Sequence, residues 1–177
     1  MTTTEYLQTP ETVLPRELAY GEFRVADSPT VPHQRAVSEI MFALVPFVRE
    51  QQLGEALMAP MDVVLDFDAG LVVQPDLLFV SRERHHIVGD RIYGAPDLVV
   101  EVLSPNPRIG RVDEKVGWYA RAGVRECWLA NLVEKSVAVL SLANGGVAQR
   151  SVYRDAESIR SEVLEGLSLT PLAIFGF

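Results

Sequence analysis

The chain has 177 residues, 48% of them hydrophobic and 23% charged, a balance that excludes a disordered or fibrous protein and is long enough to bury a sizeable core. Its formal net charge of −8 argues against a broad basic surface, so any nucleic-acid role must lean on a metal and a few placed cations. The single cysteine, Cys127, rules out an internal disulfide and a cysteine-based zinc site, and it reads as a small core residue.

In chain order, the simplest organisation is one domain over residues 1–177 with an N-terminal arm at 1–32. The polar start Met1-Thr2-Thr3-Thr4-Glu5 has neither the basic nor the apolar region of a signal peptide. No run approaches the roughly 18 apolar residues of a membrane span, so a cytoplasmic protein with no membrane partner is expected. Residues 17–25 predict a strand-turn-strand with Gly21 at the turn. From residue 33 to about 52 the apolar positions Val37, Ile40, Leu44 and Val48 fit a helical period, with Gly54 at the stop and Pro46 set to kink or split the helix.

Residues 57–60, 61–67 and 71–80 read as a meander of three strands, with Asp68-Ala69-Gly70 as a tight turn between the last two. Residues 81–94 are polar and read as a loop or one short helix. The next run, Ala95-Pro96-Asp97-Leu98-Val99-Val100-Glu101-Val102-Leu103-Ser104-Pro105, is apolar on both parities, the pattern of a strand covered on both faces, yet it carries Glu101 in its middle. A buried carboxylate is costly unless paired, hydrogen-bonded or metal-bound, so Glu101 either ligates a cation or answers a nearby lysine or arginine. A loop at 106–110 leads to a helix ending at Gly123, with Val112, Val116 and Tyr119 as its apolar stripe and Lys115 on the border. A hairpin over 126–131 and 136–142 follows, then edge strands at 147–153 and 167–169. The order predicts an α/β fold with a mixed sheet.

The residues that could carry chemistry are few. Asp76 follows Pro75 at the mouth of a second apolar strand, so Asp76 and Glu101 on adjacent strands, with Lys115 on the next helix, could hold a Mg²⁺-type cation and place an ammonium beside it. Glu39, from the first long helix, and Glu17, from the arm, could support the same place. Asp97 after Pro96 reads as turn chemistry, Asp113 as a first-turn helix carboxylate, and His33, His85 and His86 as structural or solvated. Glycine-rich phosphate loops, the Gly-x-Ser-x-Gly elbow and zinc-protease motifs are missing.

The succession Glu17-Leu18-x-x-Gly21, His33-Gln34, Pro75-Asp76, the run 95–105, Asp113-x-Lys115-x-x-x-Tyr119 and Ala122-Gly123-Val124-x-Glu126-x-Trp128-Leu129 resembles the Uma-type restriction endonucleases of the PD-(D/E)XK nuclease superfamily, over residues 11–142. The resemblance implies a restriction-endonuclease-like core, a mixed β-sheet flanked by helices, and Mg²⁺- or Mn²⁺-dependent cleavage of DNA. It maps the metal carboxylates to Asp76 and Glu101 and the auxiliary helix carboxylate to Glu39. The usual lysine position, two after Glu101, is Leu103, so the ammonium is expected from Lys115. Three readings follow. The first is a Mg²⁺-dependent DNA endonuclease using Asp76, Glu101 and Lys115 with Glu39 and Glu17 in support. The second is a non-catalytic nuclease-fold interaction module binding a protein or DNA partner, and the third a metal-dependent hydrolase of RNA or a nucleotide. Cutting both strands of a duplex would suit a homodimer.

Overall fold

The computed structural model describes residues 1–10, 14–25, 28–104 and 112–176. Helix α1 (Thr3–Leu7) leads into the hairpin β1 (Arg16–Ala19) and β2 (Glu22–Val25), and then into the long helix α2 (Val31–Glu50). Four strands follow: β3 (Gly54–Met58), β4 (Val63–Asp66), β5 (Leu71–Val73) and β6 (Leu77–Ser81). After a 3₁₀ turn at Arg82–Ile87 come β7 (Ile92–Tyr93), β8 (Leu98–Leu103), α3 (Val112–Ala122), β9 (Glu126–Asn131), β10 (Ser136–Ala143), β11 (Gly146–Arg154) and α4 (Pro171–Phe175).

The strands form two mixed sheets, ordered β2-β1-β5-β4-β7 and β11-β10-β9-β8-β6-β3. Strands β8 and β9 run parallel, and α3 is the crossover between them, as a parallel pair requires. Both faces of the six-stranded sheet are covered, which explains the unbroken apolar run at its centre. Leu98, Val100 and Val102 face α2, α4 and the C-terminal tail, and Val99 faces α3 and the five-stranded sheet. Truncating Leu98, fully buried, to alanine would cost about 2–5 kcal/mol. Helix α1 caps the outer face of the five-stranded sheet through Tyr6, packed with Leu18, Val64 and Val72.

The fold is α/β with helices flanking mixed sheet, and several local expectations change. The segment read as one strand at 71–80 breaks at Gln74-Pro75-Asp76, because Pro75 has no N–H to give a ladder. Its halves, β5 and β6, join different sheets, and β3 pairs with β6 instead of with β4, so the three strands are no meander. The strand-turn-strand expected at 17–25 is the hairpin of β1 and β2, and the segment read as an arm also supplies α1 and pairs β1 to β5. Helix α2 runs through Pro46 without a break, and the left-handed residue that ends it is Gln52 (φ 53°). Gly54 is needed instead where β3 meets β6: a Cβ there would lie 2.1 Å from the Val80 carbonyl oxygen. The hairpin at β9 and β10 falls where its apolar pattern placed it. Residues 167–169 form no strand, and α4 follows them. The loop at 106–110, like Pro105, lies outside the described residues.

Asp97, just before β8, does more than shape a turn. It is 1% exposed, accepts from the Ser81 backbone N–H at 2.8 Å, and pairs with Arg84 at 3.4 Å and Arg125 at 3.2 Å. Asp97→Ala leaves a buried N–H and two guanidinium groups short of an acceptor, and should lower the unfolding free energy by about 2–3 kcal/mol in urea titrations. A loss below about 1 kcal/mol would show that this carboxylate does not hold the strand entrance.

A candidate active site at the junction of the two sheets

In the antiparallel pairing of β6 with β8, Leu77 lies opposite Val100 and Leu78 opposite Val99. One step further along the same register puts Asp76 opposite Glu101. The ladder does not continue there, because Asp76 precedes the strand and its Oδ2 instead accepts from the Val102 backbone N–H at 2.7 Å. The side chain replaces a strand bond, which fixes it against the adjacent edge of β8. The expectation of two carboxylates on neighbouring strands is therefore met in geometry.

Lys115 and Tyr119 lie one turn apart on α3 and point to the same side. The Lys115 Nζ is 2.7 Å from Glu101 Oε1 and 2.7 Å from Glu17 Oε1, and the Tyr119 hydroxyl donates to the same Glu101 oxygen. Glu17 arrives from β1, two residues from Ala19 and on its inner face, so the five-stranded sheet delivers it to the six-stranded one. Its Oε1 also accepts from the Gln74 backbone N–H at 3.1 Å, and its Oε2 is buried with no hydrogen-bond partner. Gln74 returns the tie: its side-chain Oε1 accepts from the Arg16 N–H at 3.3 Å, and its Nε2 donates to Asp62 at 2.9 Å. The break between β5 and β6 thus stitches both sheets to the site.

The cluster holds three carboxylates against one lysine. Burial pushes the Glu101 carboxyl up to about 7; Lys115 opposes the rise, and the charges of Asp76 and Glu17 add to it. Burial works against the Lys115 ammonium, but the carboxylates of Glu101 and Glu17 outweigh it and lift that group above its ordinary range. Tyr119 is also held well above the usual phenol value, by burial first and then by Glu101. Lys115 is therefore a fixed ammonium throughout the neutral range.

Of the residues singled out from sequence, Asp76, Glu101, Lys115 and Glu17 come together. Glu39 does not join them: it is exposed on α2, off the buried stripe of Ala36, Val37, Ile40 and Leu44. The residue that α2 delivers is His33, whose Nε2 lies 3.3 Å from Asp76 Oδ1. Burial disfavours its charged form, but the Asp76 carboxylate more than compensates and raises the imidazole above its ordinary value. The sequence alone reads His33 as structural or solvated, yet its spacing carries a signal. It falls three and four residues before Ala36 and Val37, on the face that meets the sheet. The apolar stripe accounts for the Tyr119 ring, and its hydroxyl gives it a second role. His85 pairs with Glu55 at 3.2 Å on the surface, away from this cluster.

Among the described residues, no group of three or more His, Cys, Asp or Glu side chains is arranged to hold a metal ion. Asp76 and Glu101 instead offer the one or two carboxylates that a hard divalent cation commonly takes before water and phosphate complete its shell. Over residues 3–172 the chain matches the family described as "Uma2: Putative restriction endonuclease". It also shares its fold, at a TM-score of 0.85 and 20% identity, with a crystal structure titled as a "putative nuclease belonging to DUF820" from Anabaena variabilis. That match covers 99% of this chain and 98% of the other. No curated protein matches.

The raised Glu101 carboxyl has a measurable consequence. A carboxyl whose folded value lies above its unfolded one contributes stability that is complete below the unfolded value, 4.5, and lost as pH rises through about 7. Denaturant titrations of the wild type and Glu101→Gln from pH 5 to 8 should therefore show the wild type losing stability relative to the variant as pH rises. A difference that stays flat with pH would mean that Glu101 is not a strained buried carboxyl.

Proposed function

Because the chain belongs to the Uma2 restriction-endonuclease family, we propose that it is a single-domain, divalent-cation-dependent endonuclease that hydrolyses phosphodiester bonds in DNA. The observation that carries this reading is the meeting of Asp76, Glu101 and Lys115, three groups distant in sequence, at one edge of the β6–β8 pair. The residues fit a Mg²⁺ or Mn²⁺ ion on their own chemistry. Their donors are hard oxygens, the carboxylates outnumber the lysine, and the buried Oε2 of Glu17 has no hydrogen-bond partner, an acceptor that a cation's water shell would satisfy.

In this reading Asp76 and Glu101 would hold the ion, which supplies a Lewis acid for the phosphate and a bound water of lowered pKa. The chain's own groups do the rest. Lys115, locked as an ammonium by Glu101 and Glu17, takes no proton from water; it donates hydrogen bonds and places positive charge where the phosphate becomes more negative. It takes the part that a lysine at position 103 would have played. Glu17 also holds Lys115, at 2.7 Å, which keeps the ammonium from collapsing onto Glu101 alone. The excess of carboxylate explains why a cation is needed: without one, the site would repel a polyanion. Two such chains related by a two-fold axis would cut both strands of a duplex. No described helix is long and apolar enough to cross a membrane, and the reading places the protein with DNA in the cytoplasm.

The test is nicking of supercoiled DNA by the full chain with Mg²⁺ or Mn²⁺. Glu101→Ala and Asp76→Asn should each lower the rate at least about 100-fold. Lys115→Met should slow cleavage while cation binding persists. Silence from the folded wild type on DNA would overturn the endonuclease reading, in favour of the interaction module or of an RNA or nucleotide substrate.

A further inference from the structure

Each of the two carboxylates that face each other across β6 and β8 is gripped by a buried donor from a different helix. Asp76 Oδ2 takes the Val102 N–H at 2.7 Å, and Oδ1 lies 3.3 Å from His33 Nε2 on α2. Glu101 Oε1 takes Lys115 Nζ at 2.7 Å and the Tyr119 hydroxyl on α3. The helices cover opposite faces of the six-stranded sheet. Neither donor suits its surroundings as a packing residue. The Tyr119 ring is fully buried, where phenylalanine would fill the same space without a hydroxyl to satisfy. His33 is 8% exposed, and its Nδ1 is buried with no hydrogen-bond partner, a cost that an apolar side chain would avoid.

We propose that His33 and Tyr119 are positioning residues that set the two cation-binding carboxylates, one donor to each, so that their remaining lone pairs converge before any cation arrives. The inference rests on the cation site described under the proposed function. A carboxylate oxygen has two lone pairs: each Asp76 oxygen gives one to a donor and keeps the other, whereas Glu101 Oε1 gives both to Lys115 and Tyr119, which fixes the rotamer and leaves Oε2 for a cation. Val102 alone would leave Asp76 free to pivot about the one hydrogen bond that Oδ2 accepts, and His33 beside Oδ1 stops that rotation. Lys115 alone would leave Glu101 shared with Glu17 through a flexible ammonium, and Tyr119 ties the same oxygen to the rigid face of α3. The angle between the carboxylates is thus set by the packing of α2 and α3 on the two faces of one sheet. Neither residue touches the cation or the substrate in this arrangement.

The test is Mn²⁺ affinity of the full chain, read by the loss of the free-ion electron paramagnetic resonance signal, for the wild type, Tyr119→Phe, His33→Leu and His33→Gln, with Asp76→Asn as the control that removes a ligand. Tyr119→Phe and His33→Leu should each weaken Mn²⁺ about 10–100-fold, the usual effect of losing an outer-shell partner. His33→Gln, which keeps an N–H donor near the Nε2 position, should recover most of the loss. Thermal unfolding without metal is run beside it, because a merely structural role would lower Tm and leave the affinity of the folded fraction unchanged. Unchanged affinity in both Tyr119→Phe and His33→Leu, with the wild type binding and Asp76→Asn not, overturns this inference alone. A nitrogen coupling to bound Mn²⁺ that vanishes in His33→Gln would make His33 a ligand and overturn its positioning role. No Mn²⁺ binding by the wild type removes the cation site itself, and this inference with it.

Discussion

The structure depends on neutralising carboxylates where two sheets meet. Glu17 comes from the five-stranded sheet, Glu101 from the six-stranded one, and Lys115 from the helix between β8 and β9 bridges them at 2.7 Å to each. Removing an ion from water costs several kcal/mol, and a buried pair repays this only with good geometry and further hydrogen bonds. Here the geometry is supplied from three directions: Tyr119 from α3, the Gln74 N–H from the β5–β6 break, and the β8 strand itself. Were β1 to slip by one residue against β5, its side-chain parity would invert and Glu17 would leave the inner face. The ion cluster and the register of the sheets therefore specify each other.

The same constraint explains why a proline sits where it does. A continuous strand from Leu71 to Ser81 would have kept both halves in one sheet and used every backbone N–H in a ladder. Pro75 interrupts the ladder, which frees the Gln74 N–H for Glu17 and turns Asp76 so that its carboxylate accepts the Val102 N–H. Backbone regularity is given up over three residues, and two of them become structural members of the site.

Legibility in the sequence follows from whether a residue's signal is local. Glu101 stands out because a charge inside a two-sided apolar strand conflicts with its neighbours, and such conflicts fall at functional or strained positions. The hairpin at Glu126–Asn131 and Ser136–Ala143 was legible from its apolar runs alone. The division of the strands into two sheets was not, since pairing partners are chosen by long-range packing that no window of periodicity contains. The same holds for α1, a helix of five residues held by Tyr6, whose hydroxyl reaches the Arg16 carbonyl at 3.0 Å and Asp62 at 2.9 Å. At the site, Lys115 is legible from its place at the border of the helix's apolar stripe, and the family resemblance adds that Leu103 stands where a lysine is usual. Glu39 and His33 were both on α2, and helical phase separated them: His33 lies in line with the buried stripe and Glu39 does not.

Buried carboxylates elsewhere in the chain show what a purely structural one looks like. Asp97 is answered by one backbone N–H and two guanidinium groups, and Glu126, also 1% exposed, by the Trp128 indole, the Ser161 hydroxyl and the Glu162 N–H. Each is saturated by donors from several elements, and each pins a chain segment: the strand entrance before β8 in one case, the C-terminal tail in the other. The carboxylates at the sheet junction are treated differently. Glu17 keeps one buried oxygen without a partner, Glu101 is pushed up to about 7, and three acids share one lysine and a half-committed imidazole. A fold selected for stability alone would have replaced such an arrangement with apolar side chains of similar volume, often at no cost or at a gain. Retaining it sacrifices stability where Asp76 and Glu101 lie side by side, the place where a cation would offset the excess of carboxylate.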